Sequence, residues 1–476
     1  MTPRRRTHHI LALSLLAFTS FAALPARAAV YVYSCILNPR QETPPLPVGP
    51  LGAGRFVIDT DANTVTYRIV FSGLTSAESQ AHIHGFVGPG TPGGVLVALP
   101  AGNPKVGVWN YAEGDEANIL AGLTYANIHT ANNPGGELRG QIVPFNALLD
   151  AAQETPNTGS AAKGWATATI DLALHQISYY LFYEGLTGAA LSGHFHGNVL
   201  QGTPAPVKIG LTVTPSPMTG TVSYGPADEG AILAGRFYLN LHTAAFPGGE
   251  IRGQFVQNVI PMDAGQEVPA VPAPTSAGFG LVAIDTLANT LGYDVRIAGL
   301  SSTEQLAHIH GFAGPTANAS VLQALPLGTQ KLGTWVYGAA NEANVLAGLT
   351  YFNSHTSNNP GGEIRGQIDK LAGSASVLGV GGGSRLTAGL AASPNPFGLR
   401  TQLSFQLSKS GSVSLSIVGV DGRIVRHVPA ALFAPGAHSY EWDGRDDDGH
   451  PAAPGVYFAV VRTPEGEKIS RLARLR

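Results

Sequence analysis

The stretch Ala81-His82-Ile83-His84-Gly85 (AHIHG) sets imidazoles at every second position, the period of a β-strand. Side chains two apart on a strand share a face, roughly 6–7 Å apart along the chain. His82 and His84 therefore project together. The unit returns as GHFHG at Gly193–Gly197 and as AHIHG at Ala307–Gly311, so the chain carries the same His-x-His strand three times.

Other features recur in step with it. Gln41-Glu42-Thr43-Pro44 is matched by Gln153-Glu154-Thr155-Pro156 and by Gln266-Glu267-Val268-Pro269. YANIHT (Tyr125–Thr130) is matched by YLNLHT (Tyr238–Thr243) and YFNSHT (Tyr351–Thr356). PGGELRGQ (Pro134–Gln141) is matched by PGGEIRGQ at Pro247–Gln254 and Pro360–Gln367. A period near 113 residues is too long for a solenoid and fits an autonomous domain. Three modules are thus expected, over residues 29–145, 146–257 and 258–370.

Within the first module, Arg55–Asp59 and Val65–Phe71 alternate as strands around an Asp61-Ala62-Asn63 turn. Val95–Leu99, Val106–Tyr111, Leu123–Thr130 and Glu137–Val143 read as further short strands, and Glu116–Leu120 as one helical turn. About seven strands in roughly 110 residues predict an all-β antiparallel sandwich or small barrel of immunoglobulin-like type. Residues 371–392 are rich in Gly, Ser and Ala and read as a linker. Residues 393–476 alternate again, with an Asp421-Gly422 turn, as a small C-terminal immunoglobulin-like sandwich.

The bulk composition agrees. Gly (60) and Pro (34) make up about a fifth of the 476 residues, against roughly an eighth in average proteins. Hydrophobic content of 44% excludes wholesale disorder, and a net charge of −3 gives no field that favours nucleic acid. Arg4–Arg6, the apolar run Ile10–Ala23 and Ala26-Arg27-Ala28 form the n-region, core and A-x-A site of a cleaved export signal over residues 1–28. No later stretch is apolar enough to span a bilayer. The single Cys35 excludes an intramolecular disulfide and reads as a small buried apolar residue.

The Gln-Glu-x-Pro, AHIHG, ANILAGL, Y-x-N-x-H-T and PGGE-[LI]-RGQ motifs, in that order, resemble the CHRD domain first described in chordin. The resemblance covers about 70% of the chain and implies an immunoglobulin-like β fold. Copy two departs from it at Gly193, Phe195 and GRFYLNLHT. The C-terminal segment resembles the FlgD-like immunoglobulin domain and the type A sorting domain of type IX secretion. The matching residues are Pro394-Asn395-Pro396-Phe397, Val420-Asp421-Gly422-Arg423, Trp442-Asp443-Gly444 and Gly455-Val456-Tyr457-Phe458. That second resemblance implies export through secretion machinery and an outer-membrane-associated or released product.

Neighbouring strands would bring His82, His84 and His129 together with Glu137. The equivalent sets are His194, His196, His242 and Glu250, and His308, His310, His355 and Glu363. Three imidazoles and an oxygen suit Zn or Cu. Arg139, Arg252 and Arg365 would stand behind the ligands or attract an anion. The alternative is a polar network that satisfies itself by hydrogen bonds. Copper-dependent dismutation is a third reading, on pattern alone. The acidic loop Trp442–His450 lacks calcium-loop spacing, and Trp109 and Trp335 read as packing residues. The expectation is a secreted or cell-surface binding protein without catalysis. Its partner would be an extracellular protein or a cell-envelope component, and nucleic acid is not expected.

Overall fold

The structure is a computed structural model. It describes residues 30–368 and 390–475, apart from positions 48, 173, 273–274, 396, 408–410, 420–423, 435, 448 and 464–465. The export signal read over residues 1–28, nearly all of the linker at 371–392 and the Asp421-Gly422 turn lie outside the described residues.

The first module runs β1 (Val30–Leu37), β2 (Leu51–Asp59), β3 (Thr64–Ser72), β4 (Glu78–Gly85), β5 (Gly94–Ala98), β6 (Lys105–Asn110), α1 (Glu116–Leu120), β7 (Thr124–Thr130) and β8 (Leu138–Ile142). One antiparallel sheet has the order β1-β2-β3-β6 and the other β5-β4-β7-β8. The sequence reading of about seven strands falls one short.

Alternation builds the core. On β3, Val65, Tyr67, Ile69 and Phe71 are buried, while Thr66 between them is exposed. Each such apolar side chain contributes about 1.5–3 kcal/mol by leaving water. The β2–β3 turn reverses at Asn63, whose φ of 52° is left-handed. Asp59 Oδ1 holds the turn by accepting the N–H groups of Asp61 and Ala62 at 3.1 and 3.0 Å. An Asn38–Arg139 bridge joins the two sheets at one edge. In modules two and three the matching pairs, Asp150–Arg252 and Asp263–Arg365, merge the sheets into one eight-stranded antiparallel sheet each. The architecture is all-β, as the alternation predicted.

Copy two differs where its sequence does. A Cβ at Gly193 would meet Leu241 Cδ2 at 3.0 Å, so the leucine would have to give way to any side chain there. Phe195 fills the core in place of Ile83 and packs edge-on to Phe255, with ring centroids 5.2 Å apart.

The three modules also pack on one another. Ile36 and Ala53 of the first, Leu200 and Val256 of the second, and Val259, Phe279, Leu281 and Ala283 of the third form one apolar cluster. Ion pairs surround it. Arg40–Glu184 (2.7 Å) joins modules one and two. Arg296–Asp150 (2.5 Å) and Arg236–Asp285 (3.0 Å) join two and three. Arg68–Asp263 (2.6 Å) returns from one to three. Each module therefore touches both others.

In the C-terminal domain, strands Ala391–Ser393, Thr401–Leu407 and Gly436–Trp442 face a four-stranded sheet made from Gly411–Gly419, Ile424–Phe433, Gly455–Thr463 and Gly466–Arg474. Trp442 is fully buried against Phe397 and Tyr457. Asp443 and Asp446 bind backbone N–H groups of their own loop, and Asp447 binds that of His427, which is the behaviour of a hydrogen-bonded loop. Trp109 and Trp335 are buried beside Tyr111 and Tyr337, as packing residues are.

Candidate metal centre

Register places the histidines. Across β4, β7 and β8, His84 stands opposite Tyr125 and Gln141, and His82 opposite Asn127 and Arg139. Ala81 and Ile83 point into the core from the same strand. The bulge between Glu78 and Gln80 shifts the end of β4, and His129 pairs with Gln80. His129 therefore stands diagonally across from His82 in the unbroken register, and His84 follows two residues along β4, which brings His82, His84 and His129 together. The same holds for His194, His196 and His242, and for His308, His310 and His355. Within each trio one ligand atom from every histidine lies within 4.8 Å of the others.

Two backbone carbonyls decide which nitrogens are free. His84 Nδ1 lies 3.0 Å from the carbonyl of Gly93, and His129 Nδ1 lies 3.0 Å from that of Pro134. A carbonyl only accepts, so both Nδ1 atoms carry the proton and both Nε2 atoms present a lone pair. His129 Nε2 sits 3.2 Å from His82 Nδ1. His84 Nε2 is buried and has no hydrogen-bond partner, as are His196 Nε2 and His310 Nε2. The other contacts repeat at His196–Ala205, His242–Pro247 and His194–His242, and at His310–Ala319, His355–Pro360 and His308–His355.

Burial, then the neighbouring imidazole of His129, holds His82 below the usual histidine range. Burial lowers His84 in the same direction, with smaller contributions from the charges of His82, His129 and Arg139, against the Gly93 hydrogen bond that raises it. The second and third modules repeat this at His194, His196, His308 and His310. These shifts favour the neutral form of those six rings, the form that ligates.

Glu137 does not join its trio, contrary to the sequence expectation. It lies one residue before β8, and donors from the β3–β4 loop and the end of β7 take its carboxylate. Glu137 accepts the Thr75 N–H (2.7 Å), the Thr75 hydroxyl (3.0 Å) and the Thr130 hydroxyl (2.5 Å). Glu250 is held by Thr187, Thr243 and Ser160, and Glu363 by Ser301, Thr356 and Ser276. These carboxylates clamp a loop. Arg139 does stand behind the histidines. Its guanidinium lies 3.6 Å from the Tyr125 ring centre, and that ring stacks on His84 at 4.9 Å with 7° between planes.

Sequence reasoning missed Glu42, Glu154 and Glu267, treated only as parts of a motif. Glu42 is buried over Asn127 and Gly136, and burial pushes its carboxyl up to about 8. Its threefold recurrence was the available signal. The Gly93 and Pro134 carbonyls leave no side-chain signal at all.

The CHRD domain profile matches residues 33–142, 145–255 and 259–368. The chain belongs to the CHRD domain family. The FlgD Ig-like domain profile matches residues 394–466. Among curated proteins, chordin of Danio rerio is 26% identical over 250 residues, covering 46% of this chain and 26% of that protein. Chordin of Xenopus laevis is 30% identical over 163 residues, covering 29% and 17%. The basal-body rod modification protein FlgD of Salmonella typhimurium is 29% identical over 116 residues, covering 22% and 48%. This CHRD protein thus spans about a quarter or less of the chordins it matches. Among solved structures, latent PorU from Porphyromonas gingivalis has 10% identity and a TM-score of 0.17 over 94% of this chain and 34% of its own.

Proposed function

We propose that this CHRD protein is an exported binding protein of the cell surface or extracellular space, and that each CHRD module holds one Zn or Cu ion through its histidine trio. The observation that carries the reading is the buried, unpartnered His84 Nε2, repeated at His196 and His310. A self-satisfied polar network would leave that lone pair without a partner in all three modules, at a cost of about 1–3 kcal/mol each. A metal ion uses it. Tetrahedral Zn–N bonds of about 2.0–2.1 Å set nitrogens roughly 3.3 Å apart, close to the 3.2 Å between His82 and His129.

The role is binding, with no catalytic residue assigned. The FlgD-like domain supports attachment at the cell envelope, and the likeness to chordin supports an extracellular setting. The partner is an extracellular protein or envelope component, and secretion runs through the C-terminal domain. The test is elemental analysis of the full chain, stripped by chelator, reloaded with Zn or Cu and dialysed. Three ions per chain are expected, and two for His84→Ala. A metal-free reloaded chain refutes the metal reading, and a dismutase assay on copper-loaded protein tests the redox alternative.

A further inference from the structure

Each trio supplies three neutral donors and no charge. Glu137 and Glu250 are spent on their clamps, and the grouped ligand atoms are histidine nitrogens alone. A divalent ion held this way keeps its full charge and lacks a fourth ligand. The rings of His82, His129, His194, His242 and His308 are partly exposed, while His84, His196, His310 and His355 are buried, so the third trio reaches the surface at His308 alone. The side away from the buried ring therefore opens to solvent.

The surroundings add positive charge. Arg139 is 2% exposed and stands one aromatic ring behind His84. Its hydrogen bonds go to the Thr43 hydroxyl and to the carbonyls of Gly88 and Thr91, all uncharged. Arg252 likewise bonds the carbonyls of Thr203 and Leu200. Arg365 bonds the carbonyls of Ala317 and Gly314 and the side chains of Asn318 and Gln367. Burial raises the acid near each arginine, Glu42 to about 8 and Glu154 and Glu267 to about 7, which reduces the negative charge beside the guanidinium at neutral pH. Metal and guanidinium thus form a local excess of positive charge behind an open coordination position, and in a buried setting such charge attracts anions strongly.

We propose that each loaded trio takes its fourth ligand from outside the chain, and that this ligand is an anion of the carboxylate class. The proposal rests on the metal reading above. Such a carboxylate comes either from a free small acid or from an acidic side chain of a partner peptide. A metal-mediated contact of this kind would let the three modules grip an acidic ligand at three points.

The experiment uses the full chain loaded with Cu(II), with copper content measured first. Azide, a small anion with a visible copper charge-transfer band, is then titrated in. The expected result is a new near-ultraviolet band, a shifted copper resonance and saturation near one azide per copper. Acetate competes for the same position. A short glutamate-rich peptide at equal carboxylate concentration separates the sources. Displacement at least several-fold stronger than that by acetate assigns the ligand to a partner side chain, and equal displacement assigns it to free acid. Full copper with no azide response overturns this proposal and leaves the metal reading standing. Failure to take up copper removes both. Arg139→Gln, Arg252→Gln and Arg365→Gln together are expected to weaken azide binding several-fold per bound copper, with copper content measured in the same variant and circular dichroism confirming that it is folded. Unchanged azide affinity in that folded variant counts against the charge argument.

Discussion

His129 Nε2 faces His82 Nδ1 across 3.2 Å, and the Pro134 carbonyl, by holding the proton on His129 Nδ1, leaves that Nε2 as a bare lone pair. The pair is poised either to share one proton or to share one ion. Metal uptake should then compete with protons. His82 and His84 titrate below the ordinary 6.5, so zinc occupancy should hold from pH 8 to below 6.5 and fall only beyond that. Equilibrium dialysis against zinc across pH 4–8 measures this. A midpoint above 6.5 would contradict the lowered titration of His82 and His84.

Glu363 shows what the recurring carboxylate of each module does in place of ligation. Four hydrogen bonds from Ser276, Ser301 and Thr356 hold it down to about 2, against the opposing effect of burial. Its folded value lies below its unfolded one. The stabilisation is therefore complete above about 4.5 and lost as pH falls through about 2. Glu363→Gln should lower stability at pH 7 by about 1–3 kcal/mol, with the difference shrinking below pH 4.5. Urea unfolding at pH 7 and pH 3 checks both the size and the trend, while zinc content stays at three per chain.

Glu42, Glu154 and Glu267 behave in the opposite sense. Burial raises them to about 8, 7 and 7, with Arg139, Arg252 and Arg365 pulling the other way. The folded chain keeps protons that the unfolded chain has released. Their contribution is thus complete below about 4.5 and declines as pH rises to about 7–8. Replacing all three by Gln keeps a neutral group of similar shape. The variant should unfold at higher urea than the wild type at pH 8.5 and at nearly equal urea at pH 4.5. Each pKa unit corresponds to about 1.4 kcal/mol.

Arg296 reaches from module three to Asp150 of module two while also pairing with Asp294. Both carboxylates are at most 2% exposed. Arg296→Met strands them, and breaking a buried pair in this way costs about 3–5 kcal/mol. Scanning calorimetry should show a lower midpoint and, if the contact is what unites the modules, a transition that splits in two.

The strand alternation, the threefold repeat and the histidine trios were legible because each depends on side-chain period. Val65, Tyr67 and Ile69 declare a buried face, and His82, His84 and His129 share a face whatever the loops do. Glu137 was misplaced because its direction depends on Thr75, a residue in a distant loop with no distinguishing pattern. The carbonyls of Gly93 and Pro134 were invisible because backbone atoms carry no residue code. The packing of the modules was missed for a related reason. Ile36, Ala53 and Val259 look like ordinary core positions, and only the assembled structure shows that they face another module.

The Arg68–Asp263 contact closes the path from the first module through the second and third and back again. Beads on a flexible string find a polyvalent ligand by reach, and almost any spacing will do. Three modules locked about a common apolar centre hold their histidine sites at fixed separations. Such an arrangement acts as a gauge. It rewards a ligand whose binding groups repeat at the matching interval and gives no avidity to one whose groups do not.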